Sequence, residues 1–259
     1  QVLDTLVPSL QCRAMYLSLI TIFVAAGFCI ANAKHLPAYI KPCPKADPNF
    51  RQCVIQSATN TLPHIMQGDK EFKSPVLVPF KISEISISPS EQLNIKLKNV
   101  VLRGLENAVV EDMFFDLKKK HVGAKLSFKW ISIEGEYEID GRILVLPIKG
   151  HGPANITSDN LVVDFSFDYK LVTKEDGKQY FSTDIKPKVS YTISDNHFYF
   201  GNLFNGDKLL GDRTNEFLNQ HGMELHEDVS GSISETIGIV ASSVIKQILP
   251  AVPYEEVFP

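Results

Sequence analysis

From Leu161 to Leu171 the odd positions Leu161, Val163, Phe165, Phe167, Tyr169 and Leu171 are apolar, while the even positions are Val162, Asp164, Ser166, Asp168 and Lys170. A period of two sends successive side chains to opposite faces of a strand, so this segment has one apolar and one polar face. The pattern recurs at Ile85, Ile87, Leu93, Ile95 and Leu97, and again at Leu126, Phe128 and Trp130. Beyond a turn at Lys174-Glu175-Asp176-Gly177, the odd positions Phe181, Ile185, Val189, Tyr191 and Ile193 continue it. The chain from about Phe80 to Phe200 therefore reads as antiparallel strands with almost no helical periodicity. A change of phase at Trp130-Ile131 predicts a bulge that bends the sheet. Asp140-Gly141 predicts a type I′ hairpin turn, followed by a strand from Arg142 to Lys149.

A sheet with one apolar face has to cover it, and the cover lies near the C-terminus. In Val229–Leu249, at 100° per residue, Val229, Ile233, Thr236, Ile237, Val240, Ala241, Val244 and Ile248 share one broad face, with only Glu235 and Lys246 charged. This is a helix that reads as largely buried. Its β-branched residues and Gly231 and Gly238 are weak helix formers, so it needs an enclosing surface. Eleven strand residues span about 37 Å and the helix about 32 Å, which predicts that the helix lies along the strands. A shorter helix is expected earlier, with Asp47 as N-cap, Pro48 at its first position, Pro63 as a possible kink and Gly68 closing it.

The first residues read as a leader. From Met15 an apolar run closes with Ala31-Asn32-Ala33, an A-x-A cleavage pattern, so residues 15–33 are expected to be a signal peptide. Residues 1–14 precede the first Met and read as translated upstream sequence, and 34–259 as one secreted, extracellular domain. Removal of the leader takes Cys12 and Cys29 with it and leaves Cys43 and Cys53, which are expected to pair in an oxidising compartment and to contribute about 3 kcal/mol. Asn155-Ile156-Thr157 is an N-glycosylation sequon in a stretch that reads as a loop. The net charge of −4 carries no basic excess that would point to nucleic acid or an anionic membrane. No segment after the leader is apolar for long enough to insert stably into a bilayer.

Several short motifs then fall into an order that resembles a known family. They are Cys43 with Asp47-Pro48 and Cys53, and Gly104-Leu105. Next come Gly135, Tyr137, Ile139 and Gly141 leading to Leu146-Pro147-Ile148 and Gly150. After these are Leu203-Phe204-Asn205-Gly206, Leu210-Gly211-Asp212 and Phe217-Leu218-Asn219, and the ending Pro253-Tyr254-Glu255-Glu256-Val257-Phe258-Pro259. Together they resemble the insect takeout and juvenile hormone-binding proteins, over about Leu36 to Pro259. The resemblance implies an α+β fold in which a highly curved antiparallel sheet wraps a long C-terminal helix, a TULIP-like super-roll with a short N-terminal helix. It also implies a hydrophobic tunnel between helix and sheet. The lack of a second cysteine pair after the leader places the chain nearer takeout than the hormone-binding proteins proper, and the Pro-rich run expected between Met66 and Phe80 is missing.

No catalytic constellation stands out: there is no G-x-S-x-G, no H-E-x-x-H and no phosphate-binding glycine loop. His221 and His226 stand about 140° apart around a helix, which argues against a shared metal. Ser230, Ser232, Ser234, Ser242 and Ser243 read as small, close-packing positions. The expected function is that of a monomeric, non-enzymatic carrier, without cofactor or metal, for an elongated terpenoid, fatty acid or other long-chain lipid. Its expected lining is Phe128, Trp130, Tyr137, Phe165, Phe167, Tyr169 and Tyr191 from the sheet and Ile237, Val240 and Val244 from the helix. A lipid-modifying enzyme on the same scaffold, or a protein- or membrane-surface module, is the alternative. Amino-terminal sequencing of the protein recovered from secreting cells should begin at Lys34; retention of the apolar run would instead mark it as an anchor.

Overall fold

The computed structural model describes residues 34–259 apart from 91–92 and 144–145, and the side chains of 87–90 and 228 are likewise not described. The expected leader, the segment before it, Cys12 and Cys29 all lie outside the described residues. The helices are α1 (Phe50–Met66), α2 (Lys208–Gln220), α3 (Gly222–Ile248) and α4 (Tyr254–Val257). The strands are β1 (Phe80–Ser90), β2 (Leu93–Arg103), β3 (Val109–Asp116), β4 (His121–Ile143), β5 (Leu146–Asp168), β6 (Leu171–Thr173), β7 (Gln179–Phe181), β8 (Lys188–Thr192) and β9 (Asp195–Phe200).

The frame is the antiparallel hairpin β4–β5, paired from His121 with Asp168 to Ile143 with Leu146 without a change of register. The expected turn at Asp140-Gly141 does not form. These residues pair with Lys149 and Ile148, and the chain reverses between Ile143 and Leu146. Nor does a bulge form between these strands at Trp130-Ile131. The buried parity shifts from Phe128 to Ile131 on β4 and from Ala154 to Val163 on β5, so both strands switch faces together. A bulge adds a residue to one strand only; here Asn160, at φ +50°, takes the bend without breaking the ladder. The register shifts that do occur lie between Ile87 and Ser90 of β1, between Lys98 and Val101 of β2 and between Val110 and Asp112 of β3. The sequon also sits in this ladder rather than in a loop: Asn155 pairs with Glu134 on one side and Tyr199 on the other.

Each half of the hairpin is extended by a different strand. The first half of β4 pairs with β3 and the second with β2, which in turn pairs with β1; β5 pairs with β9 and then β8. β1 at one edge and β8 and β9 at the other all touch α3. Opposite edges of a sheet reach the same helix only when the sheet is strongly curved, and this one stays open, with no pairing between those edges among the described residues. At 23 residues each, β4 and β5 would unroll to about 76 Å, nearly twice the about 40 Å of the 27-residue α3. The sheet therefore coils around the helix, in place of the matched lengths expected from sequence.

α3 is less enclosed than its composition suggests. Gly222, His226, Val244 and Ile248 are buried, the inward stripe between them is half-buried, and Ile239 is 64% exposed. α1 begins at Phe50, two residues later than Asp47-Pro48 implied. Asp47 instead closes a preceding turn, its Oδ1 accepting from Asn49 N–H at 2.8 Å and its carbonyl from Phe50 N–H at 3.0 Å. Gly68, at φ +76°, ends the helix as expected, donating to the Ile65 carbonyl at 3.0 Å. The expected hairpin around Lys174–Gly177 forms only as the short β6–β7 pair. The Cys43–Cys53 disulfide is present and staples the N-terminal arm to α1. That arm then binds the C-terminus, with Cys43 and Lys45 N–H groups donating to the Val257 and Pro259 carbonyls, each at 3.0 Å.

The free side of β9 is an exposed set of donors and acceptors, which α2 satisfies. The Asn215 amide accepts from Phe200 N–H at 2.8 Å and donates to the Phe200 carbonyl at 3.0 Å. One turn along, Asn219 does the same for Phe198 at 2.8 and 2.9 Å. An open strand edge is a template for unwanted pairing, and these two amides block it. Asn215→Ala should lower stability by about 1–3 kcal/mol in urea unfolding, because Asn215 is half-buried and its loss strands two backbone groups. Asn219→Ala, at an exposed position where water can replace the amide, should cost less.

Candidate functional site

The concave face of the sheet is divided among four apolar clusters, and all four include residues of α3. One end is filled by Leu203 and by Leu218 of α2 against Tyr137, Ile139 and Ile148. The other is filled by the disulfide arm and C-terminal tail, where Phe258 meets Phe50, Phe115 and Tyr254 at ring-centroid distances of 5.6, 4.9 and 5.4 Å. A third cluster packs Met66, Phe72 and Leu77 on Val244 and Ile248. The fourth lies in the middle, at the parity switch, where Phe128, Ile131 and Val163 are buried. Around them Leu126, Leu161, Val189, Tyr191 and Ile237 are only half-buried. Here, more than at either end, inward-facing apolar side chains keep solvent-accessible surface.

The ten residues expected to line a tunnel do not converge on one place. Phe128, Tyr191 and Ile237 meet in the middle cluster. Phe165, Phe167 and Tyr169 belong to the disulfide end, and Val240 and Val244 to the third cluster. Tyr137 lies at the α2 end, where its hydroxyl donates to the Gly201 carbonyl at 2.8 Å and its ring meets Phe200 edge-on at 4.9 Å. Trp130, just past the parity switch, is half-buried against Gly104; a Cβ there would come within 2.9 Å of the indole.

The small residues of α3 pack closely only in part: nothing lies within 4 Å of a Cβ at Gly231, and Ser232 and Ser243 are exposed. A Cβ at Gly238 would stand 3.5 Å from Val189 Cγ2, and Ser242 Oγ donates to the Ile185 carbonyl at 3.3 Å. Ser230 and Ser243 hydroxyls donate to helix carbonyls, at 2.9 and 2.7 Å.

The sequence reading missed His226 as part of the interior, although the inward stripe Val229, Ile233 and Ile237 continues back to it at helical spacing. Its ring stands edge-on to Tyr191 with centroids 5.0 Å apart, and Tyr191 Oη lies 3.4 Å from Nδ1. His221, by contrast, points to Glu224, 3.2 Å away, and no metal-binding group of three or more side chains exists among the described residues. Burial pushes the Tyr191 phenol up to about 12. Burial also holds the His226 imidazole below its ordinary value, against an opposing pull from Glu227. Among the described residues, Ser74 Oγ, Asn107 Nδ2 and Ser182 Oγ are the side-chain polar atoms sealed from solvent without a partner. Nε2 of His226 also has no protein partner there, so it retains contact with solvent.

A separate open trough of about 420 Å³ lies on the sheet between β3, β4, β5 and β8. Its rim carries the Lys125–Asp164 ion pair at 3.4 Å, with Lys188, Ser190 and Phe114 beside it. No helix among the described residues is long and apolar enough to cross a membrane.

Comparison with known proteins places these features in context. A sequence model of the family described as haemolymph juvenile hormone binding protein matches residues 18–259. The circadian clock-controlled protein daywake of Drosophila melanogaster is 26% identical over 236 residues, 86% of this chain and 88% of the relative. Its Drosophila yakuba counterpart is 26% identical over 240 residues, covering 88% and 90%. The crystal structure of Takeout 1 from Epiphyas postvittana matches with a TM-score of 0.75 at 26% identity, over 85% of this chain and 99% of that one.

The buried histidine has a consequence for stability. With its pKa lowered in the folded state, the unfolded chain binds more protons between the folded and unfolded values, so stability falls as pH drops through 6.5 towards the folded value. The carboxylates with lowered values, Asp69, Asp116 and Asp176, titrate below 3.8 and do not contribute in that window. Thermal melting between pH 7.5 and 5 should show a steeper decline for the wild type than for His226→Gln; equal slopes would place the imidazole in water.

Proposed function

The chain belongs to the haemolymph juvenile hormone-binding protein family, and from that membership we propose that it is a secreted carrier of one small, elongated hydrophobic ligand. The observation that carries this reading is the half-buried apolar middle of the concave face, where Ile237 of α3 stands over Phe128, Val163 and Tyr191. Ligand fills that space and takes its affinity from apolar area removed from water. Phe128, Tyr191 and Ile237 form its lining, and Phe165, paired with Val189, and Val240, one turn along α3 from Ile237, carry it toward the neighbouring clusters. Tyr137, Phe167, Tyr169 and Val244, which belong to the flanking clusters, shape the walls, and Trp130 supports the turn behind them.

The ligand class is a terpenoid, fatty acid or other long-chain lipid, held without cofactor or metal in a monomeric chain. The disulfide fits an oxidising, extracellular setting. The fold relatives support this reading through a shared architecture.

Organic extraction of the secreted protein followed by mass spectrometry should yield a long-chain lipid near one per chain, and a fluorescent long-chain fatty acid should bind to the stripped protein. Ile237→Asp, which places a charge in the apolar middle, should weaken that binding by roughly tenfold or more. A protein that carries no lipid and takes up none, while folded, would overturn the carrier function.

A further inference from the structure

Asn155-Ile156-Thr157 is the one N-glycosylation sequon in the chain, and it lies inside β5. In the ladder Asn155 pairs with Glu134 of β4 on one side and Tyr199 of β9 on the other. Directly opposed residues of antiparallel strands share a face, so these three side chains stand in one row, neighbouring Cβ atoms about 5 Å apart. The row is on the outer face of the sheet: Asn155 is exposed, and Ala154 beside it is buried. Thr157, on the same face, donates from Oγ1 to Asn155 Oδ1 at 3.1 Å. Asn155 Nδ2, the atom to which an N-linked glycan is joined, bonds to no protein group among the described residues.

The two cross-strand neighbours of Asn155 differ in what they offer. Glu134 is drawn to Arg103, 3.2 Å away. Tyr199 is 57% exposed, and it is the one aromatic among the large apolar side chains left open to solvent in the described residues. Its chain neighbours Phe198 and Phe200 stack with each other, and Phe200 meets Tyr137 edge-on, but Tyr199 pairs with no ring among the described residues. An aromatic on a strand surface usually packs on its cross-strand partner. Here that partner is a small amide, which leaves much of the ring uncovered.

We propose that Asn155 carries an N-linked glycan whose first N-acetylglucosamine packs on the ring of Tyr199. In the transfer, Nδ2 attacks the anomeric carbon of a polyprenyl-pyrophosphate-linked oligosaccharide. A C–N bond forms, the C–O bond to pyrophosphate breaks with its electron pair leaving on the pyrophosphate, and the amide proton passes to a base of the transferase. The C–H groups on one side of the sugar carry partial positive charge, which suits the negative face of an aromatic ring. In the folded protein both backbone edges of Asn155 are bonded, so a transferase that grips the sequon as extended peptide reaches it only before β9 closes on β5. Tyr199 follows Asn155 in the chain, and the sugar is in place when β9 docks. This inference rests on the secretion in the carrier reading, because a chain meets the transferase only in the secretory pathway, and it adds a site on the opposite face of the sheet from the lipid.

The test is secretion of the full chain from insect cells treated with a mannosidase inhibitor, followed by peptide mass mapping of the protein in the medium. The peptide holding Asn155 should carry N-acetylglucosamine and mannose. Asn155→Gln and Thr157→Ala should abolish the glycan and Thr157→Ser should retain it. The wild type, with its whole glycan or trimmed by an endoglycosidase to the single first sugar, should melt about 2–4 °C above Asn155→Gln, the shift of one aromatic contact in a domain of this size. Tyr199→Ala should remove the difference between glycosylated and Asn155→Gln forms, and Tyr199→Phe should keep it, since the ring and not the hydroxyl makes the contact. Enzymatic removal of the whole glycan from the folded protein supplies the same comparison if the sequon variants do not fold. A folded, secreted protein with Asn155 unmodified would overturn the proposal and leave the carrier function intact, and a glycan whose effect on melting is the same with and without the Tyr199 ring would overturn the stacking. Absence of the chain from the medium, with the apolar run uncleaved, would instead overturn the secretion on which both readings rest.

Discussion

The whole molecule depends on one ladder, the backbone hydrogen bonds that keep β4 and β5 in register from His121–Asp168 to Ile143–Leu146. Two strands bonded over that length carry the right-handed twist of every strand pair along it, so the sheet built on them curves and its outer strands approach one another. Here the approach stops when β1 on one side and β8 and β9 on the other meet α3. The helix is about half as long as the unrolled strands, so it cannot cover the concave face alone. α2 fills one end and the disulfide arm with the C-terminal tail fills the other. At the parity switch, cover comes from Ile237 of α3 with the half-buried Leu102, Leu105 and Ala108, and there the apolar side chains keep accessible surface. The thinner cover of the middle follows from strand length, helix length and the position of the two plugs.

Closing such a sheet without pairing its edges leaves backbone groups that water or another chain would claim. The two amides of Asn215 and Asn219 meet those of β9 at every second residue, matching one helical turn to two strand residues. At the opposite end the tail from Tyr254 to Pro259 is bound by the arm that the disulfide fixes to α1. The first and last described segments thus lock each other, and the aromatic set of Phe50, Phe115, Tyr254 and Phe258 forms only when both are in place.

The sequence made the sheet legible where one face is wet and the other dry. Leu161 to Leu171 behaves as its alternation implies, with Val163, Phe167 and Tyr169 buried and Asp164, Asp168 and Lys170 exposed. Legibility fails where the strand turns over. Between Gly150 and Asn160 the inward positions include Ala154 and Ser158 and the outward ones Asn155 and Thr157, so no contrast in hydrophobicity marks the strand and the sequon looks like a loop. The same physics hid the hairpin end: Asp140-Gly141 has the composition of a turn, but local preference is overridden by the ladder on both sides of it. The helix was legible in its type and face and not in its extent, because Gly222–Asp228 contains polar residues that the apolar period passes over. The aromatic and aliphatic types of the concave face were legible, but which of them meet depends on the parity switch, a property of two strands at once that neither shows alone.

That switch also explains why the polar pair sits where it does. Tyr191 faces inward because β8 joins β5 beyond the switch, at Val163, so its odd residues share the side of Phe165 and Phe167. β9 joins β5 on the near side, at Ala154 to Asp159, and turns Asn196 and Phe198 to the interior instead. The chain crosses from one regime to the other between Thr192 and Asp195. The first turns of α3 pass beneath this crossing, with Gly222 so close to Asn196 that a Cβ would come within 2.7 Å of its carbonyl oxygen. Four residues, just over one helical turn, separate Gly222 from His226. The close backbone contact that only glycine permits thus sets the height of His226 against the strand. A single tight approach at the start of the helix brings an imidazole to the one inward-facing phenol of the middle cluster, and does so through backbone geometry rather than through any attraction between the two rings.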